Sequence, residues 1–208
     1  MKDESCDFCD RTQFEERIIA EVDDFYVAAS LGQITEGGYT LLIPKEHIPC
    51  MAELDLLTTV SAIEVSRKIR DAISKEFRFN PCFNYPIIMF EHGIVGQSVK
   101  HAHLHFLPAV LNLTTKVLLD FPGCEKDEIP HYLYLREIYE SYFKPYLFWT
   151  TTHGKGMICW NPPAPSQYMR TVIAEFLGFP ERANWRNMDP DLDKKLWQKT
   201  VDCLKPHF

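Results

Sequence analysis

The sequence predicts an α+β fold with one long helix and a helical C-terminal extension. Three observations carry that reading. Short apolar runs bounded by turn residues fill the first half, a single 3.6-period apolar stripe interrupts them, and ten of the 14 prolines lie from Pro108 onward. Phe25 to Ala29 and Tyr39 to Ile43 read as strands, with Gly37-Gly38 turning the chain between them. From Glu53 to Phe77 the apolar positions Leu56, Val60, Ile63, Ile69, Ile73 and Phe77 recur near the helical period, which predicts an amphipathic helix. Asn84 to Phe90 and His101 to Leu107 read as two further strands joined by residues 91–98. Past Pro108 each proline removes an N–H donor and fixes φ, which disfavours long strands and favours short helices between turns. The candidates are His131 to Phe143, Ser166 to Leu177 and Pro190 to Leu204. Ser166 and Gly178 bracket the second, and Asp189 caps the third ahead of Pro190. No Gly/Ser linker separates the halves, so the extension is expected to pack on the core.

The chain has 208 residues, 46% hydrophobic and 25% charged. That is enough to bury a core without disulfide staples and too apolar for bulk disorder. No run of about 18 apolar residues predicts a membrane span. The opening MKDESCDFCDRT lacks the charged-then-apolar layout of a secretory signal, and its acidic start argues against a mitochondrial import peptide. The seven cysteines are Cys6, Cys9, Cys50, Cys82, Cys124, Cys159 and Cys203, an odd number. Without an export signal they indicate a reducing cytoplasmic compartment, with thiols free or bound to metal. Twenty-two basic against 29 acidic residues give a net charge of −7, which disfavours a dedicated nucleic-acid coat. A small anionic ligand in a local pocket stays open.

The stretch with most chemical content runs from Gly96-Gln97-Ser98 through His101-Ala102-His103-Leu104-His105 to Phe106-Leu107. In a strand, alternate side chains share a face, so His101, His103 and His105 would align roughly 6 to 7 Å apart while Ala102, Leu104 and Phe106 line the buried side. Repeated imidazoles on one face suit nucleophilic attack, proton donation or metal binding. Cys6-x-x-Cys9 is the second constellation. Its spacing suits one zinc, a redox pair or chance, and its place at the extreme N-terminus fits poorly with a redox pair at a strand-to-helix junction.

The run from His101 to Leu107 resembles the histidine triad (HIT) nucleotide hydrolases and transferases, whose mark is His-x-His-x-His followed by two apolar residues. Gly96-Gln97-Ser98-Val99 and Gly38-Tyr39-Thr40-Leu41-Leu42-Ile43-Pro44-Lys45-Glu46-His47-Ile48 are similar to family runs too. The resemblance covers about residues 6 to 108. It implies a HIT-like antiparallel sheet, a catalytic domain over residues 1–110 and a helical extension over 111–208. It also implies that His103 attacks the α-phosphorus of a nucleotide, and that Ser98 donates toward the leaving group; the plainer reading of Ser98 is a hydroxyl closing a turn. His105, Gln97 and backbone N–H groups around Gly96 and Ser98 would stabilise the phosphate. In the Cys-x-x-Cys subset of HIT-like proteins, and in related galactose-1-phosphate uridylyltransferases, two histidines complete the metal site. The matching positions are His47 and His101, which implies a closed structural Zn2+ held by Cys6, Cys9, His47 and His101. A homodimer is implied by the resemblance alone.

Two family positions differ. Where many members carry an acid that holds the ribose hydroxyls, this chain has Ser30, and where they carry Asn it has Phe90-Glu91-His92-Gly93. His92 is a candidate phosphate contact in replacement. In the extension, Ser166-Gln167 and Arg170, with Gly178 to Arg186, faintly resemble CwfJ-like proteins, and Arg170 could face a phosphate from a helix N-terminus. The aromatic group Tyr132, Tyr134, Tyr139, Tyr142, Phe143, Tyr146, Phe148 and Trp149 reads as the seam between extension and core. The expected function is hydrolysis at the α-phosphorus of a dinucleoside polyphosphate or nucleoside phosphoramidate through a nucleotidyl-His103. The alternatives are a nucleotidyl or phosphoryl transferase or phosphorylase with another acceptor, and a zinc-stabilised nucleotide-binding module without turnover.

Overall fold

In a computed structural model, which describes residues 3, 5–77 and 87–208, strands β1 (Ile18–Val22) and β2 (Phe25–Ala29) form a hairpin. Asp23 turns it at a φ of 49°. β2 pairs with β3 (Thr40–Pro44), so the second predicted strand is present one residue later than its apolar run suggests. The third is β4 (Ile88–Gly93); its predicted start at residues 84–86, like Cys82, lies outside the described residues. β4 takes in Glu91 and His92, which the sequence reading left in a connection. The histidine run pairs only over β5 (Leu104–Leu107), between β3 and β4. Ahead of it the Ala102 N–H donates to the Ile48 carbonyl at 2.8 Å, so His101 and His103 sit on an extended approach outside the ladder.

The long helix α1 (Leu56–Glu76) starts at Asp55, whose carboxylate accepts from the N–H groups of Leu57 and Thr58. Its buried stripe is Thr59, Ala62, Val65, Ser66, Ile69, Ala72 and Ile73. Leu56 and Val60, expected on that stripe, are exposed, because the alanines rather than the first-turn leucine face the sheet.

The extension departs most from expectation. It contributes α2 (Leu113–Asp120), α3 (Leu135–Tyr142), α4 (Tyr168–Leu177) and α5 (Pro190–Leu204), but also strands β6 (Lys126–Ile129), β7 (Tyr146–Thr150) and β8 (Gly156–Trp160). Its prolines bracket these strands: Pro130 follows β6, Pro145 precedes β7 and Pro162 comes two residues after β8. Their missing N–H groups therefore fall outside the ladders. β7 pairs antiparallel with β4, giving one eight-stranded sheet ordered β1-β2-β3-β5-β4-β7-β8-β6 that continues past residue 110. Ser166 is not the cap of α4. The cap is Gln167, at a φ of 63° with no capping side-chain bond, because its N–H is drawn to the Gly96 carbonyl at 2.8 Å. Asp189 caps α5 as expected, accepting from Leu192 N–H.

Both faces of the sheet are buried. On one, Phe25, Val27, Leu42, Leu104 and Phe106 pack with α1, α3 and α5. On the other, Leu41, Ile43, Phe90 and Leu107 meet the N-terminal segment, α2 and α4. Of the predicted aromatic seam, Tyr132, Tyr139, Tyr146, Phe148 and Trp149 are buried, whereas Tyr134 and Phe143 are exposed.

Candidate active site and metal centre

The alternation across β5 decides where the chemistry lies. Leu104 and Phe106 fill the α1 side, so His103 and His105 emerge on the side covered by α4 and the N-terminal segment. There they line a cavity of about 210 Å³ together with Ser98, Arg170, Arg17 and Trp185, closed by Phe8, Phe14, Leu31, Leu41, Val99 and Ser30.

His103 Nδ1 lies 2.7 Å from the His101 carbonyl. A carbonyl only accepts, so Nδ1 carries the proton and Nε2 holds the free lone pair. Burial lowers its pKa to about 4, which leaves the ring neutral at neutral pH. His105 stacks on Phe90 at 4.2 Å between ring centroids, and its Nδ1 meets the Tyr39 hydroxyl at 2.8 Å. Among the described residues its buried Nε2 has no hydrogen-bond partner. Nε2 is therefore the ring nitrogen left to meet a ligand at the cavity wall. The His103 and His105 rings are 4.7 Å apart.

The remaining expected residues divide. Ser98 lines the cavity, 3.4 Å from Trp185 Nε1. Arg170 lines it too, 3% exposed, with its guanidinium donating to the carbonyls of Gly32 and Ala183. Gln97, Gly96 and His92 stand behind the wall. Gln97 Nε2 donates to the Pro49 carbonyl at 2.7 Å. Gly96, at a φ of +72°, has no room for a side chain, since a Cβ would meet Pro165 O at 2.8 Å. His92 Nε2 accepts the Met169 N–H at 3.1 Å, tying β4 to the first turn of α4. Burial pushes the pKa of His92 down to about 3, so it serves as a neutral acceptor. The α4 N-terminus is thereby occupied by protein groups, and Arg170 reaches the cavity from inside the helix.

Arg17, Tyr39, Gly32 and Trp185 were not legible as site residues. Tyr39 and Trp185 lie inside runs that carry the resemblance but with no role attached to them, and Arg17 and Gly32 lie in no motif.

Beside the cavity, Cys6 and Cys9 Sγ and one ring nitrogen each of His47 and His101 lie within 4.8 Å of one another. Cys6 Sγ is 3.4 Å from His101 Nδ1, and Cys9 Sγ is 3.3 Å from His47 Nδ1. Tetrahedral zinc with Zn–S near ~2.3 Å and Zn–N near ~2.0 Å has edges of roughly 3.3 to 3.8 Å, so the donor set fits. His101 Nε2 donates to the Pro44 carbonyl at 2.8 Å, which fixes the tautomer with Nδ1 free for a metal. The turn between the cysteines places Phe8 edge-on to both His101 and His103, at 5.8 and 5.3 Å.

An antiparallel sheet that presents aligned imidazoles to a cationic cavity, beside a Cys2His2 cluster, defines a histidine-based site on an α+β scaffold. Residues 11–110 match the family model described as the HIT domain. It is 32% identical over 74 residues to the adenosine 5'-monophosphoramidase of Schizosaccharomyces pombe, a match covering 36% of this chain and 50% of that protein. The chain thus spans about half the length of the curated relative it matches. Among solved structures it is similar to a HIT-like protein from Bartonella henselae (23% identity, TM-score 0.42, 52% of this chain and 82% of that one). It is also similar to a HIT family member from Bacillus subtilis (28% identity, TM-score 0.42, 50% and 73%). Among the described residues no helix is long and apolar enough to cross a membrane.

Proposed function

We propose that the protein hydrolyses a nucleotide-type substrate, a nucleoside phosphoramidate or dinucleoside polyphosphate, at its α-phosphorus. The observation that carries this reading is the His103 ring, which donates through Nδ1 to a backbone carbonyl and keeps Nε2 unprotonated in a cavity holding two arginines. Nε2 attacks phosphorus, forming a P–N bond as the bond to the leaving group breaks, and Ser98 hands the departing atom its proton. Water then attacks the same phosphorus, the P–Nε2 bond breaks, His103 regains its lone pair, and the water's proton passes to Ser98 or solvent. His105 Nε2–H and Arg170 stabilise the added negative charge. Gln97, Gly96 and His92 hold the wall in position. The name of the yeast relative supports the phosphoramidate as the first substrate to try.

The Cys2His2 set is proposed to hold a structural Zn2+ that fixes the N-terminal turn against the histidine strand. Four protein ligands leave no open position for substrate. Its two thiols require a reducing compartment, which supports a cytoplasmic setting. A homodimer would pair through surfaces other than the β4 edge, which β7 fills.

The test is turnover of adenosine 5'-phosphoramidate with trapping of the covalent intermediate. H103A should lose the nucleotidyl-protein adduct and fall several orders of magnitude in turnover, and H105A should fall less. Turnover only with an added acceptor would make the enzyme a transferase, and wild-type turnover by H103A would remove His103 as the nucleophile.

A further inference from the structure

Arg17 is the cation of the cavity that the proposed reaction leaves without a task. It is 9% exposed and lines the same cavity as His103. Among the described residues its one hydrogen bond runs from Nη1 to the Ala29 carbonyl at 2.9 Å, which uses one of five N–H donors. No carboxylate lies within ion-pair distance of it among the described residues. Asp193 is the first charge that Arg17 feels, but its carboxylate is taken up by the N–H groups of Gly32 and Gln33 at 2.9 to 3.1 Å. Asp7, at the cavity lining, is the other. Burial lowers the Arg17 pKa to about 10, so the guanidinium keeps its charge at neutral pH.

A buried cation with most donors unused and no bonded counter-ion is costly unless a ligand supplies the anion. Arg170 cannot fill that role for Arg17, being a cation itself. Its donors go to carbonyls and the Ser30 hydroxyl, and among the described residues no carboxylate lies within ion-pair distance of it. The cavity thus holds two guanidiniums that no carboxylate among the described residues pairs, while a single phosphorus centre at His103 brings one anionic group. Planar guanidinium is the group that matches phosphate oxygens in pairs.

We propose that Arg17 forms a second anion subsite, so that the substrate is a nucleotide carrying at least two phosphate groups, one facing His103 and the other facing Arg17. This rests on the nucleotide reading above and narrows its substrate class. Among the candidates there, it favours a polyphosphate-bearing substrate over a phosphoramidate with a single phosphorus.

The experiment is titration calorimetry of the full chain with AMP, ADP and adenosine 3',5'-bisphosphate at constant ionic strength, for wild type, R17Q and R17K. Thermal melts of each variant accompany it. We expect wild type to bind at least one of the two doubly phosphorylated probes about tenfold tighter than AMP. In R17Q that ratio should fall toward one, and R17K should restore part of it. Whichever probe shows the preference locates the second anion on the phosphate chain or on the ribose. Equal affinity for all three probes in wild type, or a ratio unchanged in a folded variant, overturns the subsite and leaves the nucleotide reading intact. If R17Q does not fold, the wild-type ratio and R17K decide. Failure of wild type to bind any probe overturns both.

Discussion

Gly32 sets how closely the extension approaches the site. At a φ of +66° it is strained for any L side chain, and a Cβ there would lie 2.4 Å from Trp185 Cβ and 2.5 Å from Arg170 Nη2. G32A should therefore displace two cavity residues at once. We expect it to lower kcat/KM by at least about tenfold on a confirmed substrate and to destabilise the fold by roughly 1–3 kcal/mol. Steady-state kinetics and urea unfolding check both. Glu91 is a second single-residue case. It is fully buried, accepting from Met51 N–H and the Tyr146 hydroxyl at 2.7 Å each, and burial raises its pKa to about 7. A carboxyl raised above its ordinary 4.5 stays protonated in the folded protein where the unfolded chain has ionised. Its contribution to stability is thus fully present at low pH, falls as pH rises from about 4.5 to 7, and is lost beyond. The buried histidines, with lowered pKa values, act in the opposite direction, so the informative quantity is a difference. Relative to wild type, E91Q should gain up to about 3 kcal/mol between pH 5 and 7.5, read from urea midpoints. At this scale the histidines were legible because three of one residue type at a strand period is a chemical pattern. Arg17 and Gly32 were not, since a buried unpaired cation or a blocked Cβ exists only once distant segments meet.

At the level of elements, the Cys6–Cys9 turn is the part that the proposed zinc would hold in order. Cys6 and His101 come together across 95 residues, and the link between them is a donor set that suits a metal. Chelation, or Cys9→Ser, should lower the melting temperature by several degrees, with about 2–4 °C lost per kcal/mol for a chain of this size. Since Phe8 leans on His103, the same change should raise KM more than it lowers kcat. Metal analysis giving no zinc in protein purified without chelator would remove this account, as would an unshifted melt after chelation. The four ligands were placed by resemblance, and spacing alone offered only the Cys pair. The strands of the extension were missed for a physical reason. Proline density disfavours long strands and favours short helices, yet β6, β7 and β8 are only four or five residues long, and each proline beside them stands outside the paired residues, where a missing N–H costs nothing. Tyr146 to Thr150 and Gly156 to Trp160 are rich in aromatic and branched side chains, which was the available signal.

For the whole molecule, the question is whether the extension is an addition or part of the folding unit. β7 closes the edge of β4, α5 holds the loop after β2 through Asp193 and Thr200, and α4 carries Arg170 into the cavity. Phe148 and Trp149, fully buried on opposite faces of β7, belong to the two clusters that also contain Leu42 and Leu41 respectively. An extension whose one strand supplies both cores cannot detach without opening both. Hydrogen exchange during urea unfolding should therefore show the amides of β2 and β3 losing protection in the same transition as those of β7 and β8. W149A, which empties a large site, should cost about 3–5 kcal/mol and shift both sets of amides together. Earlier loss of β7 and β8, with β2, β3 and nucleotide binding retained, would instead make residues 111–208 a separable attachment, and the cavity would then be complete without Arg170 and Trp185.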